Sequence, residues 1–252
     1  MDLNNKPSVM KKCAQTLAVL IFWLALWALL AYLVDKQYVL PRPRVVAERA
    51  LVLLCSAHFW LSTAASLLRI LAGFALGSLS GIALAVLVTQ CRPAALLLTP
   101  AIKTVRAAPV VSFIILALVW LDSAQLPLFI SSLMVLPLIW ANTVSGIENT
   151  APELLEMARI FHVRRLTVWR QIYWPSVKPY LLAAATTALG LAWKSGITAE
   201  VIAAPRLAMG SEMQNAKVAL EPADTFVWTI AVIALSLLLE ALLKRLLQRG
   251  RV

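Results

Sequence analysis

GIENTAPELLEMARIFHVRRLTVWRQIYWPSVKPY, residues 146–180, is the one long polar stretch in the middle of this chain, and it lies between apolar runs at 127–146 and 180–203. Each run approaches the roughly 20 residues that a helix needs to cross a hydrocarbon layer, so the polar stretch reads as a loop joining two membrane spans. Working outward, further apolar runs fall at 17–34, 61–89, 96–121 and 226–247. The pattern predicts an all-α, polytopic membrane protein of about six spans, with residues 1–252 forming a single membrane unit and no soluble domain. Composition agrees: with 61% hydrophobic and 14% charged residues and a mean hydropathy of +0.83, a water-soluble fold would be coated in apolar surface.

The net charge of +11 is read as topology. Nucleic-acid binders gather Lys and Arg on a solvated face interleaved with aromatics, whereas here the cations sit between apolar runs, so lipid is the expected surrounding and no nucleic acid is. If the N-terminus is cytoplasmic, the inner segments exceed the outer ones in Lys and Arg by about two to one, as the positive-inside rule expects. This predicts a bacterial inner-membrane protein with both termini in the cytoplasm and the polar stretch facing the same side. Lys6, Lys11 and Lys12 ahead of an apolar run resemble a signal peptide. That run exceeds an ordinary signal core, and no A-x-A site follows, so it reads as an uncleaved first span. Cys13, Cys55 and Cys91 are scattered and read as packing residues, with no metal site.

Inside the stretch, Thr150 and Pro152 suggest a cap and a first-turn proline, and Glu153 and Glu156 suit the positive end of a helix dipole. Leu154, Leu155, Ala158 and Phe161 recur at helical spacing. A second half, residues 166–174, carries Val168, Trp169 and Ile172 beside Arg165 and Arg170, before Pro175 and Pro179 redirect the chain. Periodicity alone leaves two readings: a helix that docks a cytoplasmic partner, or one that rests on the membrane surface. Elsewhere Pro93, Pro100, Pro109, Pro127 and Pro137 crowd the third and fourth runs. Prolines survive in membranes where neighbours or a wet cavity resatisfy the backbone, so a pathway is expected there. Arg69, Lys103, Arg106, Lys194 and Glu200 lie in or near the spans, where charge marks a cavity. Snorkelling to an interface is the other reading for Arg69, Lys103 and Arg106. Lys194 and Glu200, six residues apart, do not share a helix face.

The polar stretch resembles the cytoplasmic coupling motif of ATP-binding cassette (ABC) importer permeases: Glu-Ala-Ala, three residues, Gly, nine residues, Ile-x-Leu-Pro. Here Glu156-Met157-Ala158 is followed by His162 at the glycine place and by Ile172-Tyr173-Trp174-Pro175 at the matching distance. SLLRILAGFALGSLSGIALA (66–85), PAIKTVRAAPVVSF (100–113), LGLAWKSGITAEVIA (189–203) and the tail beyond extend the resemblance over about 61–247, to the nitrate, sulfonate and taurine type of importer permease. The resemblance implies a type I importer fold with a coupling helix between spans four and five, within residues 148–178. It also implies a second permease copy, two ATPase subunits and an extracytoplasmic solute-binding protein.

On the same grounds, Glu153, Glu156, Met157, Ala158, Arg159, His162, Arg164, Arg165, Ile172 and Pro175 would engage the ATPase. Lys103, Arg106, Pro109, Lys194 and Glu200 would belong to the path, suited to an anion. His162 departs from the pattern most, because glycine there permits a positive φ that histidine reaches only at a cost. No phosphate loop G-x-x-x-x-G-K-[ST], G-x-S-x-G elbow or H-E-x-x-H is present, so this chain is expected to bind no cofactor and to catalyse nothing. ATP and Mg would belong to the partner ATPase. An ion-gradient-driven secondary transporter is the alternative, and it would more often show matched broken helices in an inverted repeat.

Overall fold

The computed structural model describes residues 9–249, with side chains described for 17–247. Lys6 and Arg251 lie outside the described residues, and the side chains of Lys11, Lys12, Cys13 and Arg249 are likewise not described. The described residues form helices only: α1 (Val9–Val34), α2 (Pro43–Leu54), α3 (Ala57–Gln90), α4 (Arg92–Ala107), α5 (Val110–Ala117), α6 (Leu126–Glu148), α7 (Pro152–Ile160), α8 (Arg165–Val168), α9 (Trp174–Ala203), α10 (Met209–Val218) and α11 (Pro222–Arg249). A π-helical turn, Trp169–Tyr173, joins α8 to α9.

Four helices are long and apolar enough to cross a membrane, on Leu17–Val34, Ala57–Gln90, Leu126–Glu148 and Pro222–Leu247. The third apolar run is not one straight span, as the sequence suggested. It divides into α4 and α5, bent by 105°. Pro109 is the cause: the residue before a proline is pushed out of the helical region, and Ala108 accordingly takes φ −80°, ψ 146°, with Pro109 extended after it. Counting the bent pair gives up to five spans by length and composition, short of the expected six. The run expected at 180–203 falls in α9, which is not among these helices, although its 30 residues reach roughly 45 Å at 1.5 Å per residue. Lys194 and Glu200, with several Thr and Ser, lower its hydropathy, and its Ala188, Ala192, Trp193 and Ala199 are buried by protein.

The bundle is built on α6, which packs along α3 on one side and α9 on the other. Small residues permit the first contact. Gly73, Gly77 and Gly81 recur every fourth residue on α3, so all three lie on one face. A Cβ on Gly73 would sit 2.8 Å from the Ser131 Cβ, one on Gly77 would strike the Ser132 carbonyl, and one on Gly81 would sit 2.8 Å from the Leu136 carbonyl oxygen. Close backbone approach through small residues is how membrane helices gain dispersion contact when lipid is as apolar as leucine. Between α3, α6, α9 and α11 lies the main core, with Ile70, Val135, Ile139, Ala188 and Trp193 at its centre. The Trp193 indole donates to the Val232 carbonyl of α11 at 3.0 Å.

At one end, α2 is clamped to α11. Arg49 donates from Nε and Nη2 to the two carboxylate oxygens of Asp224, at 2.6 and 2.5 Å. This fork geometry holds the Arg49 guanidinium above its ordinary pKa, through the hydrogen bond first and the charge of Asp224 second. The stretch from α7 through the π turn lies at the opposite end of α6 and at the start of α9.

Candidate functional site

The polar stretch folds into α7, a tight turn, α8 and the π turn. Pro152 stands at the first turn as expected, but Ala151 occupies the cap position and the Thr150 hydroxyl donates back to the Gly146 carbonyl at 3.2 Å. Thr150 therefore closes α6 and does not cap α7. Pro175 and Pro179 do not redirect the chain either. Pro175 sits in the first turn of α9, directly after the π turn, and α9 runs through Pro179.

The end of α7 is a Schellman turn. The Val163 N–H donates to the Ala158 carbonyl at 2.9 Å and the His162 N–H to the Arg159 carbonyl at 3.2 Å. This closure needs a left-handed residue, and His162 has φ +48°. The glycine of the family motif thus has a backbone reason, and histidine meets it under strain. His162→Gly is expected to stabilise this turn by about 1 kcal/mol, the left-handed cost of an L-residue. Slower amide exchange at Val163 is the readout, and unchanged exchange would deny the strain.

Of the residues expected at the coupling surface, Glu153, Glu156, Arg159, Arg164 and Arg165 are exposed, and none takes part in an ion pair among the described residues. Ala158 is buried, next to the turn that its own carbonyl closes with Val163. Met157 is 47% exposed, and Ile160 and Phe161 are each 73% exposed. The apolar side of α7 is thus divided, with Ala158 turned inward and Leu154, Met157, Ile160 and Phe161 open. Ile172 falls in the π turn, half-buried, beside the Trp169–Tyr173 ring pair whose centroids are 4.7 Å apart.

Lys103, Arg106 and Pro109 are exposed at the α4–α5 bend. Lys194 is exposed on α9, in a crevice with Glu240 and Lys244 of α11. Glu200 goes elsewhere. It is fully buried where α3, α9 and α10 meet; its Oε2 accepts from the Ser66 hydroxyl at 2.8 Å and from the Gly210 N–H at 3.1 Å. Arg69 approaches its Oε1 at 3.9 Å and donates to the carbonyls of Leu207 and Arg206. Arg69 is therefore tied to the chain that follows α9. The expected path residues form three separate groups, and Glu200 shares no surface with the others. The glycine face of α3 was missed by sequence reading, although its four-residue spacing stands in the quoted segment 66–85.

Residues 73–252 match the family described as binding-protein-dependent transport system inner membrane component, and the chain belongs to that family. Among its relatives, a probable ABC transporter permease protein of Brucella melitensis is 30% identical over 82% of this chain and 84% of its own. The riboflavin transport system permease protein RibX of Chloroflexus aurantiacus is 30% identical over 92% of this chain and 86% of its own. The putative aliphatic sulfonates transport permease protein SsuC of Escherichia coli is 31% identical over 79% and 75%. The fold is that of a solved amino acid ABC transporter with histidines, with a TM-score of 0.60 at 16% identity, covering 73% of this chain and 88% of that one. The protein is a multi-pass inner-membrane permease of the ABC importer class, a transport subunit, and the comparisons favour this over the ion-gradient alternative.

Proposed function

We propose that this chain works as one of two identical permease subunits, joined at α7 to a pair of cytoplasmic ATPases that hydrolyse ATP with Mg and fed from outside by a solute-binding protein. Both termini and α7 face the cytoplasm in this reading, with α9 as the fifth of six spans. The carrying observation is the surface of α7, where exposed apolar side chains stand among charged residues that have no ion-pair partner among the described residues. A docking helix needs that combination: Met157, Ile160 and Phe161 to fill a cleft, and Glu156, Arg159, Arg164 and Arg165 to meet its rim. Closure of the ATPases would move α7, and α7 is joined to α6 and, through the π turn, to α9. A push would thus reach both walls of the same packed pair, and the π turn and the Pro109 bend are the places where backbone can give.

Lys103, Arg106, Pro109 and Lys194 would border the path, with Glu200 positioning the wall from behind. Their charge favours a small anion. The similar proteins named for nitrate, aliphatic sulfonates and bicarbonate support that class; the riboflavin relative is the counterexample.

The test is co-purification with an ABC ATPase from the same cell, comparing wild type with Glu156→Lys, followed by ATP hydrolysis in lipid. Wild type is expected to assemble, and the reversed charge to weaken assembly at least about tenfold. A wild type that binds no ATPase while solute crosses on an ion gradient would overturn the reading.

A further inference from the structure

We infer that the crevice between α9 and α11 is an oxyanion-binding site, formed by Lys194, Lys244 and Thr187 and gated by Glu240. It deepens the permease reading, which supplies the solute, but the crevice itself stands on geometry. Its volume is about 370 Å³, and Thr186, Thr187, Gly190, Lys194, Glu240 and Lys244 line it. It opens near the middle of α9 and within the Pro222–Leu247 span of α11, where ionisable side chains are expensive unless they face a cavity or a partner.

Three observations point to an anion. First, two ammonium groups face one carboxylate, and the Lys244–Glu240 pair is a loose 3.9 Å, while Lys194 makes no ion pair among the described residues. The crevice therefore carries an uncompensated positive charge. Second, Thr187, Lys194 and Thr198 are exposed at helical spacing along α9, while Ala184, Ala188, Ala192 and Ala199 to one side of them are buried, so one face of a long helix in an apolar bundle is polar and uncovered. The Thr186 hydroxyl donates to the Ala183 carbonyl at 3.2 Å, but Thr187 makes no side-chain hydrogen bond among the described residues and keeps its proton to offer.

Third, Gly190 makes room for the gate. A Cβ there would lie 3.1 Å from the Glu240 Oε1, so the carboxylate can rest against the α9 backbone. An arriving oxyanion would take Lys194 and Thr187 first, then compete with Glu240 for Lys244. A planar or tetrahedral oxyanion matches two cationic donors and one hydroxyl, as charge-assisted hydrogen bonds require. Such an oxyanion can come from a small solute or from an anionic lipid headgroup, and the chemistry is shared.

The experiment uses the full chain in phosphatidylcholine nanodiscs, with and without its ATPases. Its thermal midpoint is followed as sodium methanesulfonate or nitrate replaces chloride at constant ionic strength. Wild type is expected to show a saturable rise. Lys194→Gln should need about tenfold more anion, the worth of one charge-assisted hydrogen bond. Glu240→Gln should need several-fold less, because the competing carboxylate is gone; a merely structural ion pair would not move the half-point in that direction. In discs containing phosphatidylglycerol, a midpoint already raised in wild type but not in Lys194→Gln, with no further response to methanesulfonate, would support the same site filled by lipid. Absence of any response to methanesulfonate, nitrate or phosphatidylglycerol would overturn the site. So would Lys194→Gln and Glu240→Gln titrating like wild type. Assembly with the ATPase is scored separately on wild type, so failure of the permease reading leaves the anion titration readable on the chain alone.

Discussion

Gly77→Leu is expected to leave no folded protein in mild detergent. The Gly77 Cα faces the α6 backbone so closely that even one added carbon strikes the Ser132 carbonyl and lies 2.9 Å from both the Ser132 Cα and the Val135 Cβ. Those are backbone and branched atoms in a buried seam, and neither end can swing away. Gly77→Ala alone should cost about 1–3 kcal/mol, the usual range for overpacking. Leucine must part the helices, and α6 carries α9 on its other side, so the disturbance reaches the whole core. Leu79→Phe, two residues on but exposed, should be neutral. The measurement is size-exclusion chromatography of fluorescently tagged variants, with SDS unfolding for the alanine variant. A monodisperse Gly77→Leu peak would show that the α3–α6 seam does not hold the bundle.

The second large effect is expected at Glu200. In Glu200→Ala the Ser66 hydroxyl and the Gly210 N–H lose their acceptor, and the half-buried Arg69 loses its only nearby carboxylate among the described residues. Each buried donor left without its acceptor costs about 1–3 kcal/mol, and the loss of the 3.9 Å contact with the partly exposed Arg69 adds to that. The helix α10 should loosen first. Its entry from α9 turns through Ala204 and Leu207, both left-handed at φ +47° and +50°, and is held by Ser66, whose hydroxyl also accepts from the Met209 N–H at 2.9 Å. Trypsin cleavage at Arg206 is the readout, and it should accelerate strongly in Glu200→Ala. Adding Arg69→Met should recover part of the loss by removing the orphaned charge. If Glu200→Ala resists trypsin like wild type, the carboxylate does not hold α10 in place.

Both residues illustrate where sequence reading succeeds and stops. The apolar runs were legible because bilayer length and hydropathy are local, additive properties. The run 226–247 reappears within Pro222–Leu247, and 61–89 within Ala57–Gln90. Pro152 marked the start of α7 because a first-turn proline is a local signal. His162 was legible as strained for the same reason: the backbone requirement is set by the turn it closes. Pro109 was visible too, yet whether a proline kinks a helix or breaks it depends on what packs beside it, and here the break is 105°. The run at 180–203 falls in α9, whose hydropathy is lower than that of the other long helices because its polar residues occupy two opposite environments, burial by protein and an open crevice.

The sequence by itself determined that this is an all-helical membrane protein, where most of its spans lie and that a charged amphipathic segment separates two of its apolar runs, because each follows from residue type and spacing along one stretch of chain. Tertiary structure alone decided what the ionisable residues do. Lys194 and Glu200 are neighbours in sequence with opposite fates: one opens into a crevice toward α11, and the other is sealed against Ser66, 134 residues away. The energy of a charge in a membrane is set by what surrounds it, and those surroundings are brought together only when the helices pack.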